Sequence, residues 1–415
     1  MIDFQKKITV HHWMVLGTLS LLLVAASGLL MRMKFLTALP AINQKFLLHA
    51  HSHFAFSGWI SHALMVLIAA AVCGTGSREN LPRRYQVLIA ANLLAAYGML
   101  VSFFLQGYGF YSICASTLTV ALSYIFAVRC WRDTARPILD SHTRRWLRAA
   151  LFFLVLSSVG TFFLAYLMAS HNTDSKLQLT AVYFFLHFQY NGWFFFACMG
   201  LFHHWLRRCG IVAKHPSFVF WAFAWSCIPT YFLSIPWWDM PGWLYTIVVG
   251  AAAMQAIAWG IGLHSLPGKL IGYTHRPAAV AKGLLIGTAI AATIKILLQG
   301  LSAIPSLSQL VYGFRPIVIG YLHLVLLAII TLFIMAYAYM NESLLINRRA
   351  VVSTVVLATG IVLNEVLLFL QGVSGLMGIF IGHIPYALAW AAGIMVVGLA
   401  GLIWSQYIST SPISS

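Results

Sequence analysis

The chain has 415 residues, of which 61% are hydrophobic and only 8% charged, and its mean hydropathy is +0.87. Soluble domains carry about 25% charged residues, so these proportions exclude a soluble globular enzyme, a disordered chain and a nucleic-acid-binding module. The net charge of +17, from 25 Lys and Arg against 8 Asp and Glu, falls in short loops between apolar runs, where membrane topology accounts for it better than a polyanionic partner.

The apolar runs are continuous and about twenty residues long, which selects spanning helices over a transmembrane β-barrel. They predict twelve spans, over 8–31, 46–73, 86–108, 111–129, 147–169, 178–206, 216–235, 241–263, 278–302, 313–341, 350–371 and 379–406. No small-residue cleavage site follows the first run, which therefore reads as a retained helix. No stretch between spans is long enough for a soluble domain and no internal repeat is visible by eye, so residues 1–415 read as a single transmembrane helical domain. With the N-terminus inside, 19 of the 25 cations fall in inside loops, among them Lys6, Lys7, Lys269 and Arg276. Only Arg32, Lys34, Lys45, Lys176 and Arg315 fall outside, and Lys295 lies within a span. This asymmetry predicts an all-α polytopic protein with about twelve transmembrane helices and both termini cytoplasmic; the expected location is a bacterial inner membrane. The six cysteines form no CxxC pair, which argues against a disulfide framework or a thiolate metal site.

Sixteen histidines stand in this apolar chain. His11, His12, His142, His203, His204, His215, His264 and His275 fall at cytoplasmic helix ends or loops, where a titrating ring costs little. Others fall inside spans: His49, His51 and His53 in the second, His187 in the sixth, His323 in the tenth and His383 in the twelfth. All four spans run from outside to inside in this topology. His53, His187 and His323 then lie on the order of 10–15 Å below the outer surface, at about 1.5 Å per residue. Imidazoles from several helices at one depth suit a metal or haem site within a bundle. The plainer alternative is a set of unrelated core histidines bonded to backbone carbonyls. Within the triplet, His49 and His53 share a helical face while His51 points to the other side.

Twelve spans, cytoplasmic termini and outer-half histidines on spans 2, 6 and 10, with the text HSHFAFSGW, resemble subunit I of the haem-copper oxidase and nitric oxide reductase superfamily. The resemblance implies at least one low-spin haem b, ligated by His323 and by His53 or His49. It also implies a copper ligand at His187 and candidate propionate partners at Arg315 and Lys45. Two departures bear on the chemistry. Tyr321 stands where the family's high-spin haem ligand would be, and the seventh span, WAFAWSCIPTYFLSI, has no histidine. The expectation is therefore a degenerate binuclear centre without stoichiometric copper and with little oxygen reductase activity. A metal set rebuilt from His187, His383 and a second-span histidine such as His51 is the alternative. The HAH text is also similar to membrane haem proteins of the NnrS type, linked to nitric oxide stress. By the same resemblance the chain is an electron carrier or binds a diatomic gas, beside other membrane or c-type cytochrome subunits.

Lys295 and Glu365 are the clear intramembrane charges. A mutual ion pair is the simplest expectation and a proton route the functional one, extended by Asn364, Gln299, Gln255 and Gln371. Trp237, Trp238 and Trp243 read as an interfacial aromatic belt. No Walker loop, dinucleotide fingerprint or Ser/His/Asp arrangement stands out, and buried carboxylates are too few for a carboxylate-bridged di-metal site. Two readings from other classes remain beside the haem protein: a copper or haem transporter or assembly factor, and a structural homologue that has lost its cofactors.

Overall fold

The computed structural model describes residues 8–266 and 278–407. Lys6, Lys7, Lys269, Arg276 and His275 lie outside the described residues. Among the described residues, ten helices are long and apolar enough to cross a membrane: Val10–Leu36, Gln44–Cys73, Arg83–Gln106, Phe110–Asp133, Ser141–Ala169, Gly242–His264, Ala279–Leu301, Arg315–Met340, Arg348–Leu376 and Ile384–Tyr407. The described residues contain no strand, only one isolated bridge between Thr9 and Asn80. The protein is an all-helical, multi-pass membrane protein.

The two other expected spans take different forms. Residues 178–206 lie in Ser175–His187, a π-helical segment Phe188–Phe194, and Phe195–Arg208. This rod is long enough to cross a membrane, but His187, Gln189, Asn191 and the His203–His204 pair make it less apolar. Residues 216–235 break into Pro216–Ser226 and a 3-10 turn, Pro229–Ser234. Pro229 has no N–H and cannot continue the α ladder. Tyr231 N–H bonds back to Ile228 O instead of to Cys227 O, and the Cys227 carbonyl is left for other donors.

The chain divides into two compact units. One comprises Met1–Phe126, His275–Leu285 and Thr331–Ser415; the other comprises Ala127–Thr274 and Ile286–Ile330. In the first, Arg348–Leu376 and Ile384–Tyr407 pack closely through small residues. A Cβ on Gly398 would lie 2.6 Å from the Leu357 backbone nitrogen, and one on Gly360 would lie 3.0 Å from that of Met395. Backbones that approach this closely gain packing attraction that lipid cannot supply. In the second unit, Gly160 does the same for Ser141–Ala169 and Ser175–His187, where an added Cβ would meet Ala181 O at 2.5 Å.

Among the described residues, three π-helical segments interrupt the long helices: Ala55–Ser61, Phe188–Phe194 and Leu324–Thr331. Each begins one or two residues after a histidine singled out above, namely His53, His187 and His323. Such bulges mark functional sites often. The first two share the pattern H-F-x-x-x-G-W, in HFAFSGW at 53–59 and HFQYNGW at 187–193. Both Trp59 and Trp193 are fully buried.

Asp140 caps the Ser141–Ala169 helix, accepting from His142 N and Thr143 N at 2.9 and 3.1 Å and from Thr143 Oγ1 at 2.5 Å. Burial raises its pKa, but these bonds and the Arg207 guanidinium, 3.8 Å away, outweigh it and hold the carboxyl below its usual range. A carboxyl with a depressed folded-state pKa stabilises above its unfolded pKa of about 4 and loses that contribution as pH falls through the lower folded value. Asp140→Ala should cost about 1 kcal/mol at neutral pH, and its deficit against wild type should shrink in acid. Thermal unfolding of both proteins in detergent, as a function of pH, checks this.

Candidate functional site

In the first unit the site is built on the first turns of Gln44–Cys73. Asn43 starts the helix, its side chain accepting from Lys45 N and Phe46 N. His49 and His53, four residues apart, face the same pair of aromatic rings. Gly107 makes this possible: at φ +64° it ends Arg83–Gln106 in a backbone region that favours glycine, and a Cβ there would meet the Phe46 ring at 2.4 Å. The turn brings Tyr108 back over the histidines. His53 stacks on Phe103, with ring centroids 4.3 Å apart and an interplanar angle of 12°, and its Nε2 lies 2.9 Å from the Tyr108 hydroxyl. His49 meets Tyr108 edge-on at 4.7 Å. Its Nε2 is buried and has no hydrogen-bond partner.

His51 turns to the opposite side, as the helical period requires. Its Nδ1 lies 3.0 Å from Val24 O and 3.1 Å from Ser27 Oγ. Lys45 is exposed one turn before His49. A fourth histidine of this helix, His62, was not singled out by sequence. It is fully buried, and its Nε2 bonds to Trp13 O at 3.0 Å. Nothing in the local sequence separates such a packed ring from a ligand. Glu365 accepts from Asn364 Nδ2 at 3.1 Å. His383 is exposed and precedes Ile384–Tyr407 rather than lying within a helix. Pro385, at the second helical position, favours that start because its missing N–H is one the first turn leaves unbonded anyway.

In the second unit, His187 is buried and both ring nitrogens are engaged. Nε2 lies 2.8 Å from the Cys227 carbonyl that the Pro229 break releases, and Nδ1 lies 3.1 Å from Asn191 Nδ2 and 3.4 Å from Ser234 Oγ. The neutral tautomer that fits donates from Nε2–H and accepts at Nδ1 from the amide. Behind this ring runs a chain of polar contacts. Lys295 Nζ donates to Gln299 Oε1 at 2.5 Å, Gln299 Nε2 to Gln255 Oε1 at 2.7 Å, and Gln255 Nε2 to Thr230 Oγ1 at 3.4 Å. Lys295 and Glu365 thus each have a polar partner inside their own unit.

His323 stands at the end of the α-helical stretch Arg315–His323. Its Nδ1 is 2.8 Å from Ile319 O, so Nδ1–H donates and Nε2 carries the lone pair of the neutral ring. Backbone anchoring of one nitrogen is the usual way a protein fixes the other as a ligand. Tyr321 meets the Tyr190 ring edge-on at 6.2 Å, and Arg315 is exposed. Trp237 donates to Thr180 Oγ1, while Trp238 and Trp243 are exposed. Among the described residues no group of three or more His, Cys, Asp or Glu side chains is placed to hold a metal ion together.

No protein-family model matches the chain, and no curated protein matches it.

The His187 geometry predicts a structural role. His187→Ala removes the stronger of the two bonds to the Cys227 carbonyl, which keeps that from Thr230 Oγ1, and takes the ring from the Asn191 amide, at a cost of about 1–3 kcal/mol in this buried setting. His187→Gln, which offers both a donor and an acceptor, should recover part of it. The unfolding temperatures of the two variants in detergent check the order.

Proposed function

We propose that the chain is a membrane haem protein that resembles subunit I of the haem-copper oxidases. It holds at least one low-spin haem b in the outer half of a bacterial inner membrane, with His49 and His323 as axial ligands. The observation that carries the reading is the His49 ring, whose Nε2 is buried and unpartnered. An unmade hydrogen bond on a buried polar atom is costly, and coordination to iron is one way to use that lone pair. His323, whose Nδ1–H donates to Ile319 O, is the second ligand that the resemblance implies. The unpartnered buried nitrogen of His49 suits a haem ligand. His53, bonded to Tyr108, supports the site beside His49. Lys45, one turn before His49, and Arg315 are cations suited to haem propionates. Bound haem supplies one-electron transfer and, at an open iron position, binding of a diatomic gas. The chain's part is to orient two imidazoles and exclude water.

The reading includes twelve crossings with both termini cytoplasmic, and a c-type cytochrome or another membrane subunit as electron partner. It does not include the family's usual copper centre. His187 spends both ring nitrogens on Cys227 O and Asn191, and the seventh span holds no histidine.

Two experiments test it. The purified chain should show the sharp α-band of a six-coordinate haem on reduction. His323→Ala and His49→Ala should each abolish that band, and His53→Ala should shift it while retaining it. A colourless preparation refutes haem binding, and an unchanged spectrum in His323→Ala refutes that ligand. For topology, a reporter after Ser415 should read cytoplasmic and one in the 236–241 loop external; opposite ends on opposite sides contradict an even count.

A further inference from the structure

The second unit contains a cavity of about 30 Å³, room for one or two water-sized molecules. Its wall is largely apolar, with Phe195, Phe223 and Ile296 among the residues facing it, and its polar groups come from Tyr190, Asn191, Cys227, Gln255 and Lys295. Most of these are committed elsewhere. The Asn191 amide bonds to His187, Gln255 links Gln299 to Thr230, and the Cys227 thiol lies 3.7 Å from Asn191 O.

Lys295 differs. An ammonium has three N–H donors, and among the described residues its hydrogen-bond partner is Gln299 Oε1 alone. No carboxylate lines the cavity. Among the described residues of this unit, the ion pairs Arg136–Asp133 and Arg207–Asp140 are made by other residues. A charge taken out of water without a counter-charge is costly. A bound anion removes that cost and accepts the two remaining N–H groups.

We propose that this cavity is a binding site for a small monovalent inorganic anion, of the halide class, with Lys295 Nζ as its charge partner. The volume admits an ion the size of chloride or bromide. The apolar wall favours a weakly hydrated ion such as bromide. None of the proposed haem ligands takes part, so the site stands independently of the haem reading.

The test is thermal unfolding of the full chain in detergent, with bromide replacing sulfate at constant ionic strength. Sulfate stabilises folded proteins generally by exclusion from their surface, so the nonspecific trend runs against bromide. The site predicts a rise in Tm that saturates with bromide, as binding to the native state alone requires, and that disappears in Lys295→Met. A Tm that falls or stays level as bromide replaces sulfate overturns the proposal, as does an equal bromide response in Lys295→Met. Should that variant not fold, the wild-type titration decides: a saturable rise supports the site, and a linear change or none overturns it.

Discussion

In a chain this apolar, every buried polar group has to find its partner within the protein, because lipid offers none. That constraint explains most of the polar geometry. His62 is bonded to the Trp13 carbonyl, His51 to Val24 O and Ser27, and His187 to Cys227 O and Asn191. Lys295, Gln299, Gln255 and Thr230 satisfy one another in series. Some buried side-chain atoms stay unpartnered all the same, among them Trp13 Nε1, His62 Nδ1, Trp146 Nε1 and His49 Nε2. Two groups bear on function: His49 Nε2, on the aromatic face it shares with His53, and the half-buried Lys295 ammonium, which has Gln299 Oε1 as its acceptor. The first carries the haem reading and the second the anion site.

The irregular parts of the helices do chemical work. At the 3-10 turn that begins with Pro229, Tyr231 N–H turns to Ile228 O, and the Cys227 carbonyl becomes the acceptor for His187. The π segments follow the three histidines and widen the turn there. The glycines within two of them are forced by contact. A Cβ on Gly58 would lie 2.4 Å from the Phe54 ring, and one on Gly192 would lie 2.6 Å from Phe153 Cβ.

Hydropathy made the helical, membrane-spanning character legible, and ten of the predicted spans match helices to within a few residues at most ends. The broken segment at 216–235 was legible only in part. Pro229 is visible in the sequence, but the fate of the carbonyl freed at that turn depends on a ring 40 residues earlier. Helical periodicity separated His51 from His49 and His53, since face is a local property. It did not separate His62 or His187, as packed rings, from ligands, because the deciding partners, Trp13 O and Cys227 O, are distant in sequence. The repeat shared by 53–59 and 187–193 also escapes a reading by eye. It is seven residues long, and its meaning lies in a backbone conformation that composition does not display.

The central claim is that two imidazoles, those of His49 and His323, ligate one iron. Near-infrared magnetic circular dichroism of the ferric protein reports axial ligand type directly through the porphyrin-to-iron charge-transfer band. The account predicts the bis-imidazole band in the wild-type chain and its loss in His49→Ala. A high-spin spectrum in the wild type, or a bis-imidazole band that persists in His49→Ala, would contradict it.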